Sequence, residues 1–163
     1  MADPLEVVIR PMLNPEEAHA CCQMLVSSEP WITLPTSYDL CLKAQLDPTR
    51  ESYVALVNET IAGFITVNLG GPLRGYIQVI CVAPGHRNHG IGRKLIALAE
   101  ERIFRESPNV FLCTSSFNTA AQRFYARLGY ERVGEFKDYV VQGHSEFLLR
   151  KTLGPVRDFR PSG

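Results

Sequence analysis

The stretch Val82–Gly92 has the residues of an anion-binding turn. It reads Val-Ala-Pro-Gly-His-Arg-Asn-His-Gly-Ile-Gly and leads into the amphipathic segment Arg93–Ala99. A strand that ends in a Pro turn, followed by a polar loop and a helix, leaves free backbone N–H groups at the helix N-terminus, where an anion such as pyrophosphate binds. Gly90 and Gly92 carry no Cβ, so a large ligand can approach the main chain closely. The residues therefore predict a phosphate-binding site.

Two familiar phosphate loops fit this stretch poorly. A P-loop requires Lys and then Ser or Thr after its second glycine, but Ile91 and Gly92 follow Gly90. A dinucleotide fingerprint requires G-x-G-x-x-G, and counted from Gly90 its third glycine position is Leu95. ATP and NAD are therefore poor candidates for the ligand.

A second block, Asn118–Tyr130, identifies the pattern. It reads Asn-Thr-Ala-Ala-Gln-Arg-Phe-Tyr-Ala-Arg-Leu-Gly-Tyr. Arg87–Gly92, with the pattern R-x-x-G-x-G after V-x-P, resembles the acetyl-CoA pyrophosphate loop of the GNAT N-acetyltransferase superfamily. The second block resembles that family's N-x-x-A-x-x-F-Y-x-x-x-G-[YF] segment at the expected distance downstream. Together the blocks and the strands around them cover roughly residues 50–150 and are highly specific in combination.

The resemblance implies an α/β fold, with a mixed central sheet of about six to seven strands and helices on both faces. A single N-acetyltransferase domain is expected over residues 1–153, followed by an irregular tail at 154–163. The resemblance further implies that the strands at 74–82 and 109–114 are parallel neighbours that splay apart and receive the pantetheine arm of the cofactor in the gap between them.

The implied cosubstrate is acetyl-CoA. Main-chain N–H groups from Arg87 to Arg93 would hold its pyrophosphate, and the Arg87 and Arg93 side chains either add charge or are simply solvated. The pantetheine amides would pair with the main chain of Ile80 and Val82, and the Val82 N–H would polarise the thioester carbonyl. The expected cofactor-binding residues are Ile80, Val82, Arg87, Asn88, His89, Gly90, Ile91, Gly92, Arg93 and Asn118.

Tyr125 is the expected general acid. The second block implies that its hydroxyl reaches the CoA sulfur, and a phenol with a pKa of about 10 stays protonated at neutral pH. Spacing alone favours a core aromatic on an apolar helix face, and the two matched blocks together favour the catalytic role. Asn118 is expected to cap the same helix, with part of its amide left for a ligand.

The strand at 74–82 lacks the glutamate that many GNAT enzymes place there. Tyr76 and Gln78 occupy the obvious positions, and glutamine can order a water but cannot accept a proton. An α-amine with a pKa of about 7.7–8.0 is roughly one-tenth neutral at pH 7, whereas a lysine is neutral in roughly one molecule per few thousand. The missing base therefore favours an α-amine, although desolvation, a water chain or a base from elsewhere would serve a lysine.

Two regions are implied to flank the acceptor slot: the Pro-broken loop at 28–35 and the last hairpin. The lone tryptophan, Trp31, lies near Glu29, and the pair suits a cationic amine. Each candidate taken singly also suits a structural or surface role. The expected substrate-side residues are Glu29, Trp31, Tyr38, Gln78, Tyr139, His144 and Glu146.

The chain has 163 residues, with 17 Lys and Arg against 17 Asp and Glu, so its formal net charge is zero. This length suits one domain, and the balanced charge argues against a general binder of nucleic acid or membrane surfaces. The N-terminus has Asp3 and Glu6 instead of a basic segment followed by an apolar one, and no apolar run reaches membrane-spanning length. We therefore expect a cytoplasmic protein.

The chain has an odd number of cysteines and no C-x-x-C spacing, which predicts buried free thiols. Such thiols would be poor nucleophiles, so no acetyl-cysteine is expected. His86 and His89 are interpreted as loop donors, and no metal-ligand spacing is found. The cysteines are Cys21, Cys22, Cys41, Cys81 and Cys113.

Periodicity and capping signals predict the elements that must position these groups. Helices are expected at Pro15–Ser27, Ser37–Leu46, Gly90–Arg105 and from Asn118 to about Leu128. Strands are expected at Leu5–Met12, Glu51–Asn58, Thr60–Leu69, Arg74–Val82, Asn109–Thr114, Tyr130–Lys137 and Gln142–Leu153.

These observations predict an enzyme that transfers an acetyl group from acetyl-CoA to a primary amine by direct attack in a ternary complex. The acceptor is left open between a peptide N-terminus, a protein lysine and a small amine. The alternative is a non-catalytic CoA-binding module, which Gln78 supports and Tyr125 opposes. Pairing of two copies through the last strands and tail is also left open.

Overall fold

The structure is a computed structural model that describes residues 5–162. The helices are α1 Pro15–Val26, α2 Tyr38–Gln45, α3 Ile91–Phe104 and α4 Thr119–Arg127. The strands are β1 Val8–Pro11, β2 Arg50–Val57, β3 Thr60–Asn68, β4 Tyr76–Val82, β5 Asn109–Ser115, β6 Glu131–Phe136 and β7 Glu146–Thr152. Short 3-10 turns lie at Pro84–His86 and Val156–Asp158, so the described tail is not wholly irregular.

The strands form a seven-stranded mixed sheet in the order β1-β2-β3-β4-β5-β7-β6. Neighbouring strands are antiparallel at β1–β2, β2–β3, β5–β7 and β7–β6. β4 and β5 are parallel, with Tyr76 registered against Phe111. The predicted mixed α/β sheet and its parallel pair are confirmed.

Local turn chemistry explains most element boundaries. Asn58 and Glu59 have φ of 48° and 63°, which suits a two-residue hairpin turn between β2 and β3. Gly129 has φ of 93° and ends α4 as predicted. The predicted start of the last strand at Gln142 is wrong, because Gly143 has φ of 90° and its N–H donates to Asp138 Oδ1 at 2.7 Å. Because of that turn, β7 begins only at Glu146.

The chain divides into two compact units, of which the first contains the described residues up to Asn68 together with Val79–Ala99. A Cβ on Gly63 of β3 would lie 2.8 Å from the Cys81 carbonyl oxygen and 3.4 Å from the Leu95 side chain of α3. The next residue, Phe64, packs instead with α1. Successive strand residues face opposite sides, so helices cover both faces of β3. The buried cluster around Phe64 contains Cys21, Cys22, Leu25, Cys41, Val54, Phe64 and Cys81.

The second unit contains Leu69–Gln78 and the described residues from Glu100 onward. Glu100 of α3 accepts hydrogen bonds from the Tyr130 hydroxyl at 3.0 Å and from Lys151 Nζ at 2.9 Å. Gly75 has φ of 91°, and a Cβ there would lie 2.4 Å from the Asn109 carbonyl oxygen. Only glycine therefore allows the start of β4 to approach β5 so closely.

The cysteines are free, as predicted, and burial makes them weak acids. Cys21, Cys22, Cys41 and Cys81 are buried, whereas Cys113 is only half-buried. Desolvation raises the pKa of Cys21 to about 12 and that of Cys81 to about 11.

β4 is central in the strand order, but its residues are not all buried. Ile77 and Cys81 are buried, while Gln78 between them is exposed. No helix within residues 5–162 is long and apolar enough to cross a bilayer.

Candidate active site

The loop before α3 has a backbone shaped by residues with positive φ. Asn88 has φ of 63° and Gly90 has φ of 80°. The Gly90 carbonyl accepts the first helical hydrogen bond, from Lys94 N at 3.1 Å. A Cβ on Gly90 would meet no atom within 4 Å, so this side of the turn is open. A ligand can therefore approach the main chain at Gly90.

The start of α3 lacks the side-chain cap that the other α-helices of the described chain have. α1, α2 and α4 are capped by Asn14 Oδ1 on Glu17 N at 2.9 Å, by Ser37 Oγ on Leu40 N at 3.4 Å and by Asn118 Oδ1 on Ala121 N at 3.2 Å. Gly90 has no side chain with which to do the same. Within residues 5–162, no hydrogen bond is recorded for the N–H groups of Ile91, Gly92 and Arg93.

The charge at the start of α3 favours an anion. Its first turn contains no acidic residue, while Arg93 and Lys94 are exposed there. Free N–H groups and the positive end of the helix dipole attract phosphate groups. The donor set fits the pyrophosphate of acetyl-CoA.

The expected pantetheine strand ends beside Arg87. Ile80 and Val82 are half-buried, and Arg87 is exposed. The Arg87 Nε donates to the Val82 carbonyl at 3.1 Å. The Arg87 side chain is therefore tied to the end of β4 and not simply solvated, and the Val82 carbonyl already has a partner. Asn88 and His89 are exposed in the loop that follows.

Tyr125 packs in the interior and also has an available hydroxyl. Its side chain is 7% exposed, and its ring lies edge to face with Phe124 at 5.2 Å and with Tyr130 at 5.7 Å. In the described chain, no hydrogen bond is recorded for its hydroxyl. Burial raises the pKa of Tyr125 well above the usual phenol value, so the group is a proton donor at neutral pH.

Asn118 joins the helix that carries Tyr125 to β5. Its Oδ1 caps α4, and its backbone N–H donates to the Ser115 carbonyl at 2.9 Å. No partner among residues 5–162 is recorded for Nδ2. Capping therefore leaves half of the amide for a ligand, as expected.

The substrate-side candidates of the first unit have structural contacts. Glu29 accepts from Thr33 N at 3.1 Å and from Thr33 Oγ1 at 3.0 Å, so both carboxylate oxygens bind within the loop. Trp31 is half-buried against the core cluster, and the Tyr38 hydroxyl hydrogen-bonds His19 Nδ1.

The candidates of the second unit differ in their surroundings. Gln78 is exposed, and Tyr139 is 67% exposed with its ring 5.1 Å from that of Phe136. His144 packs edge to face on Phe117 at 4.9 Å. Glu146 is 7% exposed, and Ser115 Oγ donates to its Oε1 at 2.6 Å.

One contact of this unit escapes sequence reasoning. Ser115 Oγ donates to Glu146 Oε1 across β5 and β7. Burial is the largest cause of the raised pKa of both Tyr76 and Glu146. Ser115 and Glu146 are 31 residues apart, and no local pattern links them.

The described residues hold no group of three or more His, Cys, Asp or Glu side chains placed to share a metal ion.

Comparison with known proteins agrees with this geometry. Residues 18–130 match the model of the acetyltransferase (GNAT) family. N-alpha-acetyltransferase 30 of Schizosaccharomyces pombe is 34% identical over 101 residues, which cover 59% of this chain and 67% of that protein. N-alpha-acetyltransferase 30 of Saccharomyces cerevisiae is 28% identical over 160 residues, with 89% and 88% covered.

A chain in the crystal structure of the NatC complex bound to Gag peptide and CoA is similar over 92% of this chain and 100% of its own length. The TM-score is 0.72 and the sequence identity is 26%. The alternative of a non-catalytic CoA-binding module is not favoured by these relatives. The chain belongs to the GNAT family of acetyltransferases and is an acetyl-CoA-dependent N-acetyltransferase.

Proposed function

We propose that the acceptor is the α-amine at the N-terminus of a peptide or protein. The observation that carries this proposal is the name N-alpha-acetyltransferase 30, shared by relatives from two yeasts. The peptide-bound NatC neighbour supports the same acceptor class. Acid–base chemistry agrees, because β4 contains no carboxylate and an α-amine is neutral far more often than a lysine at pH 7.

The cofactor side of the reaction has distinct roles for named groups. The main-chain N–H groups from Arg87 to Arg93 bind the pyrophosphate of acetyl-CoA. Ile80 and Val82 pair with the pantetheine arm, and the Val82 N–H polarises the thioester carbonyl. Acetyl-CoA itself supplies the reactive acetyl thioester, so the protein contributes orientation and proton transfer.

Tyr125 is the group proposed to protonate the leaving thiolate. Its free hydroxyl and raised pKa support this role, because the phenol is protonated across the physiological pH range. Asn118 holds the start of the same helix and offers Nδ2 to the cofactor. The proposed acceptor-side residues are Glu29, Trp31, Gln78, Tyr139, His144 and Glu146.

The free cysteines support a reducing compartment, and we place the enzyme in the cytoplasm as part of this proposal. The lower pKa of an α-amine compared with a lysine, and not the net charge of the chain, is what favours the α-amine as acceptor.

The acceptor is tested with two versions of one short peptide that contains a single lysine. In one version the α-amine is free and the lysine is blocked; in the other the blocking is reversed. Mass spectrometry after incubation with acetyl-CoA should show acetylation of the first peptide only. Acetylation confined to the lysine version, or to a small amine such as an aminoglycoside or polyamine, would contradict the proposal.

A further inference from the structure

Glu146 lies in a polar cluster of the second unit. It is 7% exposed, and its Oε1 accepts the Ser115 hydroxyl hydrogen at 2.6 Å. Ser115 and Glu146 are directly opposite in the antiparallel register of β5 and β7. Within residues 5–162, no hydrogen bond is recorded for Oε2, and this oxygen is not among the fully buried atoms without a partner. One carboxylate oxygen is therefore anchored and the other is available.

The cluster is tied to the helix that carries Tyr125. The Ser115 carbonyl accepts from Asn118 N at 2.9 Å and from Gln122 Nε2 at 3.0 Å. These bonds attach the first turn of α4 to the same residue that anchors Glu146. Tyr125 lies six residues after the first residue of α4, which is about 9 Å along the helix axis.

The groups that act on Glu146 come from each strand and loop around it. Burial raises its pKa above 4.5, and the Ser115 hydrogen bond and His144 partly oppose that shift. Tyr76 of β4 and Cys113 of β5 interact with the carboxylate electrostatically, and burial raises the pKa of both, so they are uncharged at neutral pH. Tyr139 interacts electrostatically with Tyr76 and adds to the rise in the pKa of Tyr76. A carboxylate with a raised pKa is a stronger base than an exposed one.

We propose that Glu146 is the general base of the reaction, with Oε2 accepting a proton from the acceptor's α-ammonium and Ser115 positioning the carboxylate. This inference rests on the proposed α-amine acceptor. Glu146 supplies the base that β4 lacks. It lies on β7, which pairs with β5 on the side away from β4.

The proton balance is complete without another reactant. The ammonium gives one proton to Oε2, and the freed nitrogen lone pair forms the C–N bond with the thioester carbonyl carbon. The C–S bond breaks, and the sulfur takes the electron pair together with the Tyr125 proton. The second proton lost by nitrogen restores Tyr125, and Glu146 releases its proton to water. The net products are the acetylated amine, CoA thiol and one proton.

The strength of this base suits an α-ammonium better than a lysine. The pKa of an α-amine is about 7.7–8.0 and that of a lysine about 10.4, so transfer to one carboxylate is roughly 300-fold more favourable for the α-ammonium. Glu146 thus agrees with the acceptor class inferred from the relatives.

The test is the pH dependence of kcat/KM with the free-α-amine peptide, between about pH 6.5 and about pH 8.5. The kcat/KM of the wild type should change by only a few-fold, because Glu146 removes the proton from the α-ammonium. Glu146→Gln should lose activity chiefly at the lower pH. Its kcat/KM should rise about 20-fold across the range, in proportion to the fraction of the amine that is neutral. Glu146→Asp should keep the wild-type shape with a lower kcat.

Ser115→Ala supplies a second readout that a purely structural role would not produce. It removes a hydrogen bond that lowers the pKa of Glu146. In a profile extended below about pH 6.5, the ascending limb, over which kcat/KM rises as Glu146 loses its proton, should therefore move to higher pH. Glu131→Gln, an exposed glutamate at the start of β6, is the matched control and should leave the profile unchanged. Calorimetry should give the wild-type Kd for acetyl-CoA in all variants.

The outcomes separate the two proposals. A wild type that acetylates no peptide α-amine overturns the proposed acceptor and this assignment together. A wild type that does so, with a parallel profile for Glu146→Gln, overturns only the assignment of Glu146. If Glu146→Gln does not fold, Ser115→Ala decides, since an unmoved limb contradicts the proposal and a shifted limb supports it.

Discussion

Tyr125 and Tyr130 touch edge to face, yet their hydroxyl groups have different surroundings. The Tyr130 hydroxyl donates to Glu100 at 3.0 Å, whereas no partner is recorded for that of Tyr125 in the described chain. Tyr125→Phe should therefore lower kcat by about 100-fold or more while the Kd for acetyl-CoA and the melting temperature stay near wild type. Steady-state kinetics and calorimetry measure these quantities.

Tyr130→Phe is the matched control for that experiment. It should lower the free energy of unfolding by about 1–2 kcal/mol, because a buried hydrogen bond to a carboxylate is lost, and should leave kcat near wild type. Unchanged turnover in Tyr125→Phe, under conditions where chemistry limits the rate, would remove Tyr125 from the mechanism.

Glu146 should also reduce stability at neutral pH. Because its folded pKa is raised above 4.5, its stabilising contribution is fully present below that value and is lost as the pH rises through the folded pKa. Glu146→Gln keeps an oxygen for Ser115 but does not titrate. Urea unfolding should therefore show the variant to be more stable than wild type at about pH 7.5, with the difference vanishing below about pH 4. A variant less stable than wild type at the higher pH would contradict the burial argument.

The sequence assigned roles to residues only where a local block carried them. Tyr125 and Asn118 fall within one contiguous segment, and capping by Asn118 follows from its position before a helix. Glu146 was expected only as a substrate-side residue, because its basicity depends on burial and on Ser115, 31 residues away. Contacts across strands depend on register, which single residues do not specify.

Helix α3 begins at a glycine with φ of 80° and open space on its Cβ side. Gly90→Ala should cost about 1 kcal/mol of stability, because alanine is strained at positive φ. The added methyl would project toward the approach of the pyrophosphate, so the Kd for acetyl-CoA should rise about tenfold, equivalent to about 1.4 kcal/mol.

Gly71 offers the matched control, since it has φ of 76° and also no atom within 4 Å of a built Cβ. Gly71→Ala should lose similar stability and keep the wild-type Kd in calorimetry. An equal loss of affinity in both variants would show that the effect comes from general destabilisation and not from the loop before α3.

Element positions were largely predictable because their signals are local. Asn14 before Pro15, the pair Asn58–Glu59 and Gly129 each mark a boundary through capping or positive φ. The start of β7 was missed because Gly143 and Asp138 close a turn that the apolar pattern at 142–153 does not reveal.

The two compact units share elements along the chain, because β4 and α3 each run from one into the other. We therefore expect the single domain predicted over residues 1–153 to unfold in one step. The only tryptophan, Trp31, belongs to the first unit, so its fluorescence should change at the same urea concentration as far-UV circular dichroism. Acetyl-CoA at about 100 times its Kd should stabilise both signals together by about 2.7 kcal/mol. A fluorescence transition that precedes the dichroism transition would show two domains.

The raised pKa values of the cysteines bear on the product of the enzyme. Every turnover releases CoA as a free thiol, and the disulfide form of CoA exchanges with proteins through attack by a protein thiolate. Cys21, with a pKa of about 12, and Cys81, at about 11, are almost entirely protonated at neutral pH and are enclosed as well. These two buried thiols are therefore poor sites for S-thiolation by the disulfide form of CoA, and the half-buried Cys113 is the more accessible thiol.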